Sequence, residues 1–347
     1  MRVPPGRNGD PVPPRGRQGE RMTSESRVKA AAAILCVLGT VVVVFSQGGQ
    51  PTFRSGVDIV NFGVTVVDKK GNDLTDLEEG DFEVYEDGQK QALRFFVPCD
   101  ARPGRSADAP PGRSAGAPRL PPAELHLGAL FDISGSMDAD MQFARSAAIK
   151  FLNTLSEARD FTLVDFDTEV RVARYSQSEF GRLVERIRSR KAEGYTALWD
   201  AIGVYLDGAS GQEGRKILVL YTDGGDNASS ISFSDLTDLL KASDVTVHAI
   251  GFLEHQPASV RQDLRSRLQR LAEITGGQAF FPMSMRDLES AYGKVAAEID
   301  AQYSMGYVST NTKTDGTWRK VAIKVTRPGL KDIRVRTRQG YFALLKR

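Results

Sequence analysis

Cysteine is nearly missing from this chain: Cys36 and Cys99 are the only two. Cys36 lies inside an apolar run, so a protein processed after that run keeps Cys99 alone and can build no internal disulfide. With no base near it in sequence, Cys99 reads as a bland thiol rather than a nucleophile. Histidine is equally scarce; His126, His248 and His255 have no paired metal spacing and assemble no site. No charge of one sign dominates, since the formal net charge is +2 over 347 residues. Without a basic face and a reader motif, nucleic acid is excluded as a partner. The dinucleotide fingerprint G-x-G-x-x-G and the phosphate loop G-x-x-x-x-G-K-[ST] are also missing.

What is present is ordinary globular material, 41% hydrophobic and 26% charged, with length for roughly two domains. Residues 1–29 hold seven Arg or Lys against three Asp or Glu. The apolar run Ala30 to Phe45 follows, flanked by Arg27 and Lys29 before it and Ser46 after it. A spanning helix needs about 20 apolar residues. A positive flank, a short apolar core and a small residue at its end instead describe a secretory signal, with an uncleaved anchor over 30–45 as the alternative. Residues 1–46 are therefore an extension and signal or anchor, with Met22 an alternative start. The remainder is expected outside the cytoplasm, as a periplasmic, cell-surface or secreted protein touching a membrane only through that segment.

Residues 56–97 read as strands and turns. Val60, Phe62, Val64 and Val66 alternate with small or polar neighbours, DKKGND supplies a turn, and FEVYEDGQ enters a hairpin. Residues 98–123, rich in Pro, Gly, Ala and Arg, cannot bury a core and form a linker. From 124 to 303 apolar strands (LHLGALF, FTLVDF, KILVLY, VTVHAIGF) alternate with helical stretches. Those are expected from about Asp138 to Ser156 and at Phe180–Arg190, Thr196–Gly208, Phe233–Ala242, Pro257–Ile274 and Leu288–Ile299. Strands apolar on both faces are buried on both faces, so they run parallel in a doubly wound α/β sheet. Residues 304–345 return to strand alternation, with Val321, Ile323 and Val325 set against Lys320 and Lys324. Isolated hairpins are marginal in water, so the two β segments are expected to pair into one small β-sandwich-like unit with the α/β domain inserted. The acidic stretch Asp68–Arg94 and the basic stretch Arg319–Arg347 agree with that adjacency.

The first apolar strand ends in Asp132-Ile133-Ser134-Gly135-Ser136 and runs toward a helix, which puts three side chains at the carboxyl edge of the sheet, where open α/β folds bind ligands. A carboxylate and two hydroxyls are hard donors suited to magnesium, manganese or calcium; taken alone, Ser134 or Ser136 also reads as a helix N-cap. Thr196, in GYTALWDAI, and Asp223, in LVLYTDGGDN, can reach the same rim. Nearby Asp138, Asp140 and Asp226 fit a helix-dipole role.

With these five positions in this order, residues 124–303 resemble the von Willebrand factor type A family, whose metal ion-dependent adhesion site has the form D-x-S-x-S, then a loop Thr, then an Asp after a later strand. Tyr195 stands where close relatives often carry a second Gly. The resemblance implies a divalent cation, magnesium foremost with manganese or calcium also suited, held by Asp132, Ser134, Ser136, Thr196 and Asp223. Ser134 and Ser136 would coordinate directly, Thr196 directly or through water, and the two aspartates through waters or hydroxyls. It also implies a protein partner presenting Asp or Glu, a bacterial exported setting and an adhesion-type role without catalysis. Two other readings stand beside it: an envelope scaffold stabilised by its metal, and a hydrolase using Ser134, whose surroundings lack the G-x-S-x-G elbow.

Overall fold

The computed structural model describes residues 59–99 and 124–345. The N-terminal extension, the apolar run and residues 100–123 of the linker lie outside the described residues.

The α/β domain is built on β5 (Leu125–Asp132), β6 (Asp160–Phe166), β7 (Val170–Ser176), β8 (Arg215–Thr222), β9 (Thr246–Gly251) and β10 (Ala279–Phe280). They form one sheet in the order β10-β9-β8-β5-β6-β7, parallel except for β7, which runs antiparallel to β6. The helices are α1 (Met141–Thr154), α2 (Phe180–Ser189), α3 (Leu198–Ala209), α4 (Phe233–Ala242), α5 (Ala258–Thr275) and α6 (Met285–Asp300). Alternation along the central strands sends side chains to opposite faces. Ile217, Val219 and Tyr221 of β8 pack under α1, α2 and α6 with Phe151, Leu183 and Val295. Leu218 and Leu220 pack under α3, α4 and α5 with Ile202, Leu236 and Leu268. The sheet is thus covered on both sides, the doubly wound arrangement expected from its apolar strands.

Three local details depart from the sequence expectations. Gly135–Asp140 form a 3-10 segment, so the first helix begins at Met141 rather than Asp138. Thr196 does not open a helix but lies two residues ahead of α3. Strand β7, VRVARYS, was not anticipated: it is a polar edge strand with little of the apolar character that marks its neighbours.

The flanking segments supply β1 (Ile59–Val67), β2 (Phe82–Glu86), β3 (Gln89–Gln91) and β4 (Leu93–Val97), then β11 (Tyr303–Val308), β12 (Trp318–Val325), β13 (Arg334–Arg336) and β14 (Gly340–Phe342). Two four-stranded sheets result, β13-β1-β11-β4 and β14-β12-β2-β3, each composed of strands from both ends of the chain. Their inner faces meet in a core of Phe62, Val64, Val66, Tyr303, Met305 and Tyr307 against Phe82, Val84, Val321 and Ile323. The hairpin at Asp87-Gly88 turns with both φ positive (47° and 86°), the condition of a type I′ turn. The opposite charges of the two segments meet as Arg327 with Asp76 and Asp81 at the surface.

A buried pair also crosses this core. Glu86 and Arg319 are 2% and 1% exposed and lie 3.2 Å apart. Burial pushes the Glu86 carboxyl up, but hydrogen bonds donated by Ser309, Tyr307, Tyr341 and Arg319 outweigh it and hold the group below the ordinary glutamate range. The folded chain therefore keeps Glu86 ionised where the unfolded chain would protonate it. Its contribution is complete above the ordinary glutamate range and is lost as the pH falls through the depressed folded value. Glu86→Gln leaves the buried Arg319 guanidinium with only the half-exposed Asp315, 4.0 Å away, as counter-charge and is expected to lower the unfolding free energy by about 3 kcal/mol at neutral pH. Urea denaturation of both proteins down an acid series should show the gap narrowing toward low pH.

Candidate functional site

The carboxyl edge of the sheet between β5 and β8 gathers the polar residues. Asp132, the last residue of β5, has no exposed surface, and Ser134 is 1% exposed. One Asp132 oxygen accepts from the Ser134 backbone N–H at 3.0 Å and from its Oγ at 2.6 Å. The other accepts from Thr222 Oγ1 at 2.6 Å, which ties β5 to the end of β8. Ser136 Oγ stands 3.2 Å from Ser134 Oγ on the exposed side of the turn. Direct hydrogen bonds thus bring Asp132, Ser134 and Ser136 together.

Asp223 follows β8 at the same edge and is 3% exposed. Its oxygens accept from the Gly225 backbone N–H at 3.0 Å and from Gln256 Nε2 at 2.8 Å. Gly224, at φ 83°, makes the sharp turn that aims Asp223 inward, and its N–H donates to Thr222 Oγ1 at 3.0 Å. Burial, and then the Asp223 charge, push the Asp132 carboxyl up to about 7 against the hydrogen bonds from Ser134 and Thr222. Two buried carboxylates therefore repel one another across the site.

Thr196, 5% exposed, reaches this edge on a loop pinned at several points. Its N–H donates to Asn227 Oδ1 at 2.8 Å, and its carbonyl accepts from the Asn227 and Ala228 N–H groups, both at 3.0 Å. Upstream, Glu193 N–H donates to Ile133 O at 2.9 Å and Gly135 N–H to Gly194 O at 3.2 Å, which lays the Thr196 loop against the serine turn. Gly194 has φ 76°, and a Cβ there would stand 2.7 Å from Thr168 Oγ1. The full glycine needed by this loop is met at 194, and Tyr195 points into solvent, 67% exposed.

The donor set fits a hard divalent ion. Adjacent ligands of an octahedral ion at about 2.0–2.1 Å stand about 2.9 Å apart, close to the separation of the two serine hydroxyls. The Ser134 proton is committed to Asp132, which leaves Oγ lone pairs to face a cation. A cation would also offset the repulsion between Asp132 and Asp223. Among the described residues no cluster of three or more His, Cys, Asp or Glu side chains could cage a metal, so a site here depends on hydroxyl oxygens.

Sequence reasoning missed Thr222, Asn227 and Gln256, which position the named residues. Thr222 was within reach, as the residue before Asp223 at a strand end; Asn227 and Gln256 carry no local signal. Asp226 does face a helix N-terminus, but that of α3: its carboxylate accepts from Trp199 N–H at 3.3 Å and Ser229 Oγ at 2.5 Å. Asp138 is exposed, and the Asp140 side chain lies outside the described residues. Two of the histidines bind elsewhere: His126 joins Asp160 and the Glu213 carbonyl, and His248 joins Glu298.

The sequence model of the von Willebrand factor type A domain matches residues 127–294. No curated protein sequence matches the chain. Among solved structures it is similar to the PilB minor pilin from Streptococcus sanguinis, with 16% identity over 53% of this chain and 63% of that one and a TM-score of 0.44. The chain thus spans less than two thirds of that pilin. It is also similar to a von Willebrand factor type A protein from Catenulispora acidiphila, with 14% identity over 85% and 76% of the two chains and a TM-score of 0.44. The vWF domain of the type V pili tip protein Mfa5 from Porphyromonas gingivalis gives 11% identity over 52% of this chain and 96% of that one, with a TM-score of 0.43. Residues 127–294 of this chain are therefore a von Willebrand factor type A domain, set within a β unit that the family's pattern does not cover.

Proposed function

We propose that Asp132, Ser134, Ser136, Thr196 and Asp223 hold a divalent cation, magnesium before manganese or calcium, and that this cation takes an Asp or Glu carboxylate of a protein partner outside the cytoplasm. The observation that carries the reading is the pair of hydroxyls 3.2 Å apart at the end of the central strand, one of them hydrogen-bonded to a fully buried carboxylate. Ser134, Ser136 and Thr196 would offer neutral oxygens to the ion. Asp132 and Asp223 would act from behind them by orienting hydroxyls and water. When bound, the cation supplies an electrophilic centre whose positive charge is little reduced by its neutral ligands, which is what a carboxylate of a partner requires.

A non-catalytic role is supported by the company Ser134 keeps. Its hydroxyl donates to a carboxylate and meets another serine, while His126 and His248 are engaged at other places in the fold. A serine nucleophile is most often activated by a histidine, and neither His126 nor His248 touches Ser134. Export is supported by the basic flank and apolar run of residues 27–45. Among the described residues no helix is long and apolar enough to cross a membrane.

Isothermal titration of magnesium, manganese and calcium into metal-stripped protein tests the site. Saturable binding is expected for the wild type and its loss in Asp132→Ala and Asp223→Ala, both checked for folding by circular dichroism. Folded wild type that takes up no cation would overturn the reading. Thr222→Val removes the donor to the second Asp132 oxygen and the acceptor of the Gly224 N–H without replacing a proposed site residue. It is expected to cost about 1–3 kcal/mol in urea denaturation and to weaken magnesium binding about tenfold or more.

A further inference from the structure

A groove of about 550 Å³ runs between α1 and α2 on the flank of the α/β domain, and it uses none of the residues of the cation site. Three cations line it, Arg145 and Lys150 from α1 and Arg188 from α2, and no lining residue is acidic. Its apolar floor is Ile149, Phe180 and Val184, all half-buried. Nε of Arg145 is buried and meets no hydrogen-bond partner among the described residues, and burial lowers that guanidinium's pKa. A guanidinium held partly out of water is stabilised by nearby negative charge; Asp138 supplies some of it, and an anion laid in the groove would add to it. Lys150 does have an internal partner, Glu289 at 3.2 Å, but both side chains are more than half exposed and the pair is weak.

The shape narrows the occupant. On α1 the lining runs from Gln142 to Asn153, which at 1.5 Å per residue is about 16 Å of helix. An extended peptide covers that length with about five residues. The floor lies between two helices, so a flat bilayer surface cannot reach its apolar side chains, whereas a single extended strand of chain can.

We propose that the α1–α2 groove binds an extended acidic segment of a protein partner, with carboxylates on Arg145, Lys150 and Arg188 and one bulky apolar side chain on the Ile149–Phe180–Val184 floor. This contact is independent of the cation site, so it is tested in EDTA, where failure of either reading leaves the other standing.

The probe is a fluorescein-labelled Glu-Glu-Leu-Glu-Glu peptide titrated with the full chain at low salt and followed by anisotropy, beside Gln-Gln-Leu-Gln-Gln and Glu-Glu-Ser-Glu-Glu controls. Saturable binding is expected, at least tenfold tighter than to either control and weakened at least tenfold by Arg145→Gln combined with Arg188→Gln. The exposed single substitution Lys150→Gln, which keeps the buried guanidinium, should weaken it severalfold and serves if the double variant fails to fold. No saturable binding, equal binding of the glutamine control, or indifference to Lys150→Gln and to a folded double variant would overturn the proposal.

Discussion

The antiparallel pairing of β4 with β11 is the contact on which the architecture rests. Val97 lies opposite Ser304, so the chain leaves the β unit and re-enters it on neighbouring strands. Between these points in the sequence sits the entire α/β domain, whose last helix delivers Tyr303 directly into β11. Until that domain brings Tyr303 back, neither composite sheet has its full set of strands.

The junction is reinforced by side chains that belong to neither part alone. Arg215, at the start of β8, donates to Gln302 and to the Ile299 carbonyl, and Gln302 in turn fills the space left by Gly63 of β1. Glu298 of α6 joins His248 of β9 to Arg336 of β13. Arg338 stacks over Phe62 of β1 at 4.6 Å and donates to the Asn61 and Ser243 carbonyls. These contacts anchor the lower edge of the α/β sheet and the end of α6. The polar site is assembled at the opposite, carboxyl edge.

At that edge, local geometry and burial act together. A carboxylate without exposed surface stays only if its oxygens are satisfied, and Asp132 is satisfied by one residue of its own turn and one of the neighbouring strand. The turn is therefore held in a single shape with its two serine hydroxyls side by side. Asp226 and Ser229 dock the loop after β8 on the N-terminus of α3, and Asp200 of that helix accepts in return from the Ser230 and Ile231 N–H groups. Thr196, two residues ahead of the same helix, is placed by this reciprocal clamp rather than by its own sequence neighbourhood.

The sequence by itself determined the doubly wound sheet, because four strands apolar on both faces have no stable place but between two layers of helices. It also determined the insertion, because two β segments too short to stand alone need one another, and it marked Asp132, Ser134 and Ser136 as a group by their alternating spacing in one turn. Only the tertiary structure decided what spacing cannot express. The polar edge strand β7 owes its place to backbone pairing with β6, and Glu86 and Arg319, which look like solvated charges in sequence, are buried because Tyr307, Tyr341 and Ser309 converge on them. Thr222 came to the site from the end of a neighbouring strand and Asn227 and Gln256 from other loops, and the α1–α2 groove exists only where two helix faces, separate in sequence, leave a gap. Local pattern reports which face of an element is buried; which partner it is buried against is set by long-range packing.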